Sequence, residues 1–245
     1  MLLTIIMPLY NEEATAPLII KQILELPLEL ELIVIDNGSV DATGEVIRPF
    51  DKRSNVRIIT KKENRGKGDA IKTGVALATG KYTIIQDGDL EYDPQDIVGM
   101  VDIAEKEQAL AVFGSRRLNP QSGISYQRYL WGGKFLTFLA NLLYPVHITD
   151  ESTCYKMIRT DIMKAMNLEA SRFEFCPEVV AKLGRNRIKI FETPIRYRPR
   201  KFEEGKKIRW IDGIEAIWTL LKYRFVPFSK LAIEKDQKAS EQSHE

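Results

Sequence analysis

The sequence has few of the residues that build metal clusters or covalent cross-links. Its 245 residues include two cysteines, Cys154 and Cys176, and two histidines. The cysteines form no C-x-x-C pair and no histidine cluster accompanies them, which argues against a structural zinc site and a disulfide framework. Two reduced cysteines in a cytoplasmic protein are the simplest interpretation. His147 is the only histidine inside the predicted fold, and we interpret it as structural.

The sequence also lacks a strong net charge and a long apolar run. The formal net charge is +2, from 36 basic and 34 acidic residues, so no nucleic-acid partner is expected. No stretch reaches the roughly 18–20 uninterrupted apolar residues that a transmembrane helix needs. The apolar opening MLLTIIMPLYNEE lacks a basic n-region, so we expect a buried strand there and not a signal peptide. Residues 231–245 are polar and without periodicity, which predicts a disordered tail.

The first 115 residues alternate short β-rich runs with helical patterns. The strand-like runs are LTIIMPL, ELIVID, VRIIT, KYTIIQD and ALAVFG. One helical pattern has Ser39 or Asp41 as its predicted cap, and another begins at Pro94 with Asp93 as its cap. Repeated βα units with continuous apolar strands predict a parallel sheet covered by helices on both faces. Beyond residue 115 the pattern is α-rich with scattered strands such as 188–197, and we interpret it as an extension of the same domain.

Polar and charged residues follow four of the predicted strands. In open parallel sheets, ligands bind in the crevice at the carboxyl ends of the strands. A right-handed doubly wound sheet brings all of these ends to the same side. The strand exits are residues 10–12, 36–39, 64–68 and 87–89. We therefore expect the functional site at this edge of the sheet.

The segment IIQDGDLEYDP places four acids at alternate positions where a strand leaves the core. Carboxylates this close repel one another, so a positively charged partner is expected. Asp87 and Asp89 flank Gly88, which predicts a sharp backbone turn that approaches a ligand closely. Two such carboxylates suit Mg²⁺ or Mn²⁺, which use substrate phosphates and waters as further ligands. Glu91 is a candidate third ligand or outer-sphere residue, Asp93 is interpreted as a helix cap, and a solvated acidic turn is the alternative for the first two acids.

Two further strand exits carry candidate nucleotide contacts. Asp36 is placed to accept hydrogen bonds from a ribose or a base. The segment NRGKG looks like a phosphate-binding glycine loop, but neither G-x-x-x-x-G-K-[ST] nor G-x-G-x-x-G occurs in the sequence. That absence excludes a P-loop and argues against a dinucleotide site. Lys67 in this segment is a candidate contact to a phosphate or sugar, and an exposed lysine without such a role is the alternative.

These motifs, in this order, resemble those of the family 2 glycosyltransferases of GT-A fold. MPLYNEE is similar to the first-strand motif, and DNGSVDAT to D-D-G-S-x-D with Asn37 in place of the second aspartate. NRGKGDA is similar to N-x-G-K-G-x-A, and QDGDLEYDP to the D-x-D motif with its downstream acid and proline, with Gly88 in place of the more frequent alanine. GSRR at 114–117 follows the fifth strand, where relatives have an arginine near the donor phosphates. The resemblance is close over the first 117 residues and looser beyond them, and it is nearest to the dolichol-phosphate and polyprenol-phosphate sugar synthases.

The resemblance implies a single GT-A domain over residues 1–230, with a Rossmann-like, mostly parallel central sheet, helices on both faces and an α-rich C-terminal extension. Residues 1–117 would form the nucleotide-sugar-binding half and residues 118–230 the acceptor- and membrane-facing half. The implied nucleotide-sugar-binding residues are Pro8, Tyr10, Glu12, Asp36, Lys67, Asp87, Gly88 and Asp89. The implied metal ligands are Asp87, Asp89 and Glu91, and the implied catalytic residues are Asp89, Arg116, Arg200 and Lys206.

The function implied by the resemblance is inverting, metal-dependent transfer of a sugar from a UDP- or GDP-linked donor to a polyprenyl phosphate. A lipid phosphate is already an anion at neutral pH, so it needs no general base, which agrees with the basic segment 182–209 and the scarcity of histidines. The protein is expected on the cytoplasmic face of a membrane, as a peripheral protein or beside a membrane-anchoring partner protein. The stretches 128–146 and 208–228 combine Trp, Tyr, Lys and Arg with aliphatic residues, the mixture found at bilayer surfaces. Ordinary amphipathic packing helices are the alternative for both.

Two other functions stay open on the sequence. A hydroxyl acceptor would require a general base, for which Asp150 and Glu151 are the candidates. A non-catalytic nucleotide-sugar-binding protein is the second, and the intact acidic pair and the basic C-terminal segment argue against it. A nucleotidyltransferase is disfavoured because the glycine-rich, lysine-bearing N-terminal loop expected of that class is missing.

Overall fold

The computed structural model of the chain describes residues 2–123, 127–200, 210–227 and 231. The predicted disordered tail, apart from Leu231, lies outside these residues, as does Lys206. The strands are β1 Leu3–Leu9, β2 Leu30–Asp36, β3 Val56–Thr60, β4 Tyr82–Ile85, β5 Ala111–Ser115, β6 Lys156–Arg159 and β7 Ile190–Pro194. The helices are α1 Ala16–Leu24, α2 Thr43–Ile47, α3 Lys67–Leu77, α4 Asp96–Lys106, α5 Gln127–Leu143, α6 Thr160–Ala165, α7 Phe175–Arg185 and α8 Trp210–Phe225, with a 3₁₀ helix at Arg48–Lys52.

The described strands form one seven-stranded sheet in the order β3-β2-β1-β4-β6-β5-β7. Strands β1 to β4 pair in parallel, and so do β5 and β7, whereas β6 is antiparallel to both of its neighbours. The predicted mostly parallel α/β sheet is therefore confirmed. The five strands predicted in the first 115 residues are all present, and the strand predicted at 188–197 is the shorter edge strand β7.

Strand β2 shows why the sheet needs cover on both faces. Its side chains alternate between two sides. Leu32 and Val34 join the main hydrophobic cluster, while Ile33 and Ile35 pack with Ala70 of α3 in a second cluster. All four aliphatic residues are fully buried. A continuous apolar strand is stable only in such a position, because either exposed face would leave large side chains in water.

The register of the parallel strands aligns their carboxyl ends. Leu9 at the end of β1 lies opposite Asp36 at the end of β2, which in turn lies opposite Thr60 at the end of β3. Strand β4 continues this edge, because the Gln86 amide directly after it donates to the Ile6 carbonyl of β1. The polar residues that follow these strands are consequently gathered along one line.

Strand β6 was not predicted from the sequence. It is four residues long and begins with Lys156, a residue that ordinarily marks a solvent-exposed position. Lys156 is nevertheless fully buried, and its ammonium donates hydrogen bonds to the carbonyls of Glu151 and Thr153. These carbonyls replace water around the charge, so the segment can occupy the centre of the sheet between β4 and β5.

The second half of the chain packs its helices together beside the sheet. Helices α7 and α8 contact each other, and both contact α5. The Tyr144 hydroxyl after α5 donates to the Leu220 carbonyl of α8 at 2.6 Å. None of the helices in the described ranges is both long and apolar enough to cross a bilayer.

Candidate active site

Asp87 and Asp89, directly after β4, each pair with a basic side chain from another part of the chain. Lys67 Nζ at the start of α3 lies 2.5 Å from Asp87 Oδ1. Arg200 Nη2 lies 3.1 Å from Asp89 Oδ2 and 3.0 Å from Glu12 Oε1. The side chains of Asp87, Asp89 and Arg200 are only 18–20% exposed. The expected positive partners of these acids are therefore present, in a site where solvent screens charges less than it does at the surface.

The charge of Lys67 is stabilised by this arrangement. Burial alone would lower its pKa, but the Asp87 carboxylate opposes that effect and the pKa is raised well above its usual range. The Cys154 thiol lies 3.4 Å from the same ammonium. Burial raises the pKa of that thiol, so it stays protonated and acts as a neutral neighbour. Both cysteines are free, as predicted.

The other two acids after β4, Glu91 and Asp93, contact residues 195–200, which we call the 195–200 segment. Glu91 Oε2 accepts from the Tyr197 hydroxyl at 2.8 Å, and Glu91 Oε1 accepts from the Arg200 backbone amide at 2.7 Å. Asp93 Oδ2 lies 2.9 Å from Arg196 Nη1. An antiparallel bridge between residues 92 and 197 adds backbone contact. Glu91 and Asp93 thus bind the 195–200 segment close to the end of β4. This position allows the Arg200 side chain to contact Asp89.

The arrangement fits a hard divalent cation at Asp87 and Asp89. Carboxylate oxygens are the ligands that Mg²⁺ and Mn²⁺ prefer, and these two groups already hold cationic side chains at this position. The described residues contain no group of three or more side chains placed as metal ligands. The predicted three-ligand set with Glu91 is therefore not assembled, because both Glu91 oxygens accept hydrogen bonds from the 195–200 segment. Two carboxylates leave the remaining positions to phosphates and water.

The turn predicted at Gly88 is present, but the conformation of its backbone does not require glycine. Its backbone does not have the positive φ that would require glycine; among glycines only Gly38 and Gly66 do, within the described residues. A Cβ at position 88 would instead collide with Cδ2 of Leu9, so the small residue provides room for the core beneath the site. The strained backbone lies one residue past the acidic pair, at Leu90, whose φ is +60°.

A cavity of about 630 Å³ opens beside this strained segment. It is bounded by the loop after β1, by the acidic segment after β4 and by the 195–200 segment. Its lining residues are Asn11, Glu12, Glu13, Ala14, Thr15, Asp41, Asp89, Leu90, Arg198, Pro199 and Arg200. Asn11 has a φ of +52° and binds the β2 exit through two hydrogen bonds, from its own amide to Ser39 Oγ and from the Val40 amide to its side-chain oxygen. These two hydrogen bonds fix the position of Asn11, a polar residue in the wall of the cavity.

The remaining residues predicted to contact the nucleotide lie in β1, at the end of β2 or on the loop after β1. Asp36 is 3% exposed, and its Oδ1 accepts from the Ser39 amide at 3.0 Å. Pro8 lies in β1 opposite Ile35, and Tyr10 is half-buried just beyond that strand. Glu12, predicted to bind the nucleotide sugar, lies on the loop after β1, where its amide donates to Thr43 Oγ1 and its carboxylate contacts Arg200. The β2 exit and the β4 exit both border the cavity, which is lined by Asp41 of the former and Asp89 of the latter.

Asn37 has a structural role that sequence reasoning missed. Its Nδ2 donates to Asn64 Oδ1 at 2.9 Å and to the Gly66 carbonyl at 3.0 Å, which ties the β2 exit to the glycine loop. Its own Oδ1 is buried without a hydrogen-bond partner among the described residues. An aspartate could not donate to either acceptor, so the departure from the family motif at this position has a physical reason.

Arg116 is neutralised by a buried partner. Its Nε and Nη2 donate to the two carboxylate oxygens of Asp150, each at 2.7 Å, and its guanidinium lies 4.9 Å from the centre of the Tyr197 ring. Asp150 is fully buried. Burial alone would raise its pKa, but Arg116 outweighs that effect and the pKa is lowered. A carboxylate held in this way is neither accessible nor basic enough to deprotonate a hydroxyl acceptor.

Glu151, the other candidate base, is also enclosed. It is 1% exposed, and its Oε2 accepts from the Ser152 hydroxyl at 2.7 Å. Burial raises its pKa, but no part of the side chain reaches the surface. The general-base alternative at Asp150 or Glu151 therefore receives no support from the geometry.

Known proteins with related sequences act on lipid phosphates. Dolichyl-phosphate beta-glucosyltransferase from Dictyostelium discoideum is 31% identical over 173 residues, covering 64% of this chain and 50% of that protein. Dodecaprenyl-phosphate galacturonate synthase from Rhizobium johnstonii is 28% identical over 237 residues, covering 92% and 69%. Undecaprenyl-phosphate 4-deoxy-4-formamido-L-arabinose transferase from Photorhabdus laumondii is 28% identical over 209 residues, covering 83% and 62%. The chain thus spans between half and 69% of the length of these relatives.

A solved structure with a similar fold is glucosyl-3-phosphoglycerate synthase from Mycobacterium tuberculosis in complex with Mn²⁺ and UDP-glucose. The TM-score is 0.67 at 20% sequence identity, and the match covers 93% of this chain and 80% of that one. The site described above lies on strands and loops of this shared fold. Residues 4–166, well over half of the chain, match the sequence profile described as Glycosyl transferase family 2. The chain therefore belongs to glycosyl transferase family 2.

Proposed function

We propose that this protein is an inverting glycosyltransferase that moves a sugar from a nucleotide-diphosphate sugar to a polyprenyl phosphate at a membrane surface. The observation that carries the proposal is the pair Asp87 and Asp89 at the β4 exit, with Lys67 and Arg200 as counter-charges. A site of alternating charge suits a diphosphate and a divalent cation. The related polyprenyl- and dolichyl-phosphate transferases support the lipid-phosphate acceptor.

The donor is proposed to lie along the edge formed by the strand exits. Its nucleoside would lie near Pro8, Tyr10 and Asp36, and its diphosphate near Asp87 and Asp89. A Mg²⁺ or Mn²⁺ ion held by these two acids would neutralise the diphosphate as it leaves. Both Mn²⁺ and UDP-glucose are bound in glucosyl-3-phosphoglycerate synthase, which has a similar fold and is consistent with a divalent metal and a nucleotide-sugar donor. UDP- and GDP-linked sugars are the donors to compare.

The transfer step needs no proton acceptor. An oxygen of the acceptor phosphate, already anionic at neutral pH, forms a bond to C1 of the sugar on the face opposite the leaving group. The C1–O bond to the diphosphate breaks, and its electron pair leaves with the nucleoside diphosphate, so C1 is inverted. Lys67 and Arg200 lie beside the acids that would hold the metal ion, and their positive charges would stabilise the leaving nucleoside diphosphate. Arg116 and Lys206 are proposed as further positive charges; Lys206 lies outside the described residues.

The membrane surface is proposed as the place of the reaction. Helices α5 and α8, which pack together, expose large apolar side chains that include Trp131 and Trp218 at 65% and 66% exposure. Exposed tryptophans beside basic residues are typical of helices that lie in the bilayer interface. We place the protein on the cytoplasmic face as a peripheral protein, held there directly or by a membrane-anchoring partner protein.

Transfer of label from nucleotide sugar to lipid tests the proposal. The protein is incubated with Mg²⁺ or Mn²⁺, a polyprenyl phosphate, and UDP- or GDP-linked sugars labelled in the sugar. The expected product is an organic-extractable sugar phosphate that requires both metal and lipid. A parallel thermal-shift screen of UDP, GDP and dTDP with and without Mn²⁺ identifies the base, because a ligand that binds the native state raises its melting temperature. Absence of lipid-linked label with every common donor would contradict the proposal.

A further inference from the structure

A buried carboxylate outside the active site, that of Glu178 in α7, is surrounded by hydrogen-bond donors. Glu178 is fully buried, and its Oε1 accepts from the Lys182 ammonium at 2.6 Å and from the Tyr223 hydroxyl at 2.8 Å. Lys182 also donates to the carbonyls of Met166 and Asn167. A buried ion pair by itself adds little to stability, because desolvation of the charges offsets their attraction. The effect of this pair therefore lies in the chain that its hydrogen bonds hold in place.

The chain held by Glu178 comprises residues 169–172, which we call the 169–172 segment. The two oxygens of Glu178 accept from the backbone amides of residues 169 and 170, each at 2.7 Å. Glu174, the cap residue of α7, accepts from the amides of residues 171 and 172 at 2.7 and 3.1 Å. Four consecutive amides thus point to two glutamates at the start of α7. In a trans peptide the carbonyl points opposite to the amide, so the carbonyls of this segment face the other way.

The carbonyls of the 169–172 segment lie against the start of α3. The Asp69 amide donates to the Ser171 carbonyl at 3.1 Å. A Cβ at Gly66 would overlap that carbonyl oxygen, and a Cβ at Gly68 would lie 2.6 Å from the carbonyl oxygen of Ala170. Both positions have room for glycine alone while the segment is in place. Contact with the chain itself thus accounts for the two glycines that resemble a phosphate-binding loop in the sequence.

Lys67 lies between these two glycines and is the first residue of α3. Its ammonium lies 2.5 Å from Asp87 Oδ1 in the active site. Because both of its neighbours in the chain touch the 169–172 segment, the position of the Lys67 backbone depends on that segment. A series of contacts therefore runs from the buried Glu178 to the ammonium at the acidic pair.

We propose that Glu178 is a positioning residue for Lys67. The inference rests on the proposed function, in which the Lys67 charge stabilises the leaving nucleoside diphosphate. Glu178 does not line the cavity at the acidic pair, so it acts through the 169–172 segment. When this segment is released from α7, the start of α3 loses the surface on which its glycines pack. The Lys67 ammonium then loses its fixed position beside Asp87.

A double-mutant cycle with Lys67 tests whether Glu178 acts through it. Glu178→Gln keeps the shape of the side chain, but its amide nitrogen cannot accept from the backbone, so one amide of the 169–172 segment loses its partner. In sugar transfer to a polyprenyl phosphate, kcat is expected to fall about tenfold in E178Q and about 10²-fold in Lys67→Met, with the acceptor KM unchanged. The double variant should have a kcat within about threefold of that of K67M, because the second change removes what the first has already removed.

The control for this cycle is Glu105→Gln, a change at an exposed glutamate of α4. It is expected to leave kcat unchanged. Losses that multiply in the double variant would show that Glu178 acts independently of Lys67 and would overturn the assignment. A wild-type kcat in folded E178Q would also overturn it.

Gly68→Ala tests the same contact from the α3 side and leaves the hydrogen bonds of Glu178 in place. The added methyl would displace the Ala170 carbonyl, so kcat is expected to fall as it does in E178Q. Gly99→Ala in α4 is the matched control, because a Cβ there would meet nothing within 4 Å. If E178Q does not fold, G68A decides the question, and a wild-type kcat in G68A contradicts the proposal.

Amide hydrogen exchange tests the positioning without any substrate. E178Q is expected to exchange faster than the wild type both in the 169–172 segment and at residues 66–70. Faster exchange in the 169–172 segment alone would mean that this segment does not hold the start of α3, and the inference would fail. A wild type that transfers sugar to no polyprenyl phosphate contradicts the proposed function, whereas the exchange measurement still decides between the two outcomes for Glu178.

Discussion

The two sides of the candidate site are built in different ways. In the region proposed to bind the donor, Asp36, Asp87 and their neighbours follow strands whose hydrogen-bonded register fixes their positions. Arg200, by contrast, reaches the site through ion pairs to residues far away in the chain, Glu12 and Asp89. A strand exit is rigid because moving it would break the sheet. A segment held by charge can exchange its partners when a charged ligand arrives.

Asp89→Asn is expected to cause the largest loss of activity. The change removes the negative charge that pairs with Arg200, and it replaces one of the two carboxylates proposed to bind the metal with a neutral amide. The shape of the side chain is kept. Removal of one group that stabilises developing charge typically costs about 10²–10³ in kcat. Sugar transfer and nucleotide-dependent thermal shifts measure the loss, with Asp102→Asn on the exposed side of α4 as the control. Transfer above a tenth of the wild-type rate would argue against a role for Asp89 in the reaction.

Asp150→Asn is expected to have the largest effect on stability. It leaves the Arg116 guanidinium, enclosed in the same region, without its carboxylate, and breaking a buried pair typically costs about 3–5 kcal/mol. Urea unfolding at neutral pH measures the difference. Because the folded-state pKa of Asp150 is below its unfolded value near 3.8, the pair stabilises the protein above that pH and the contribution is lost as the pH falls through the folded pKa.

The stability gap between the wild type and D150N should therefore narrow below about pH 4. A gap that stays constant from pH 7 to pH 3 would show that the ion pair is not its source. Donor binding should persist in D150N under conditions where the variant is folded, because the strand exits on the donor side do not depend on this pair.

Asn37→Asp should weaken the donor side although it restores the family motif. The new carboxylate would face the Gly66 carbonyl and the Asn64 side-chain oxygen, which now accept hydrogen bonds from Asn37 Nδ2. Loss of these two hydrogen bonds at the buried Asn37 side chain is expected to cost about 1–3 kcal/mol. Thermal unfolding measures the change, and Asn55→Asp near the start of β3 is a control away from the site. Equal or greater stability of N37D would mean that the loop has another conformation.

Gly88→Ala is expected to have the smallest effect. The added methyl meets the end of the Leu9 side chain, which is flexible enough to move, so the cost should be about 1 kcal/mol. Activity should be retained because no positive φ is required at this residue. Shortening the neighbour in the double variant Gly88→Ala, Leu9→Val should recover stability. A severe loss in G88A that L9V does not relieve would point to backbone strain and would contradict the packing explanation.

Much of the fold and half of the site follow from local sequence patterns. The five βα-type strands, the acidic exit of β4 and the family motifs could be predicted because each depends on periodicity or on neighbouring residues. Strand β6 could not, because a buried Lys156 becomes acceptable only when the carbonyls of Glu151 and Thr153 surround it. Glu91 was predicted near the metal because of its spacing, whereas Tyr197, 106 residues away, determines where its carboxylate lies.

The sequence by itself determined that this protein has a mostly parallel α/β sheet with acidic and glycine-rich strand exits, since strand burial and turn chemistry are local properties of the chain. Only the tertiary structure decided which charges meet. Lys67 is paired with Asp87, Arg200 with Asp89 and Glu12, and Arg116 with Asp150, which leaves Arg117 as the unpaired cation among the described residues of the β5 exit. The physical reason is that an ion pair depends on distance and burial in space, and neither quantity is encoded by the separation of two residues along the chain.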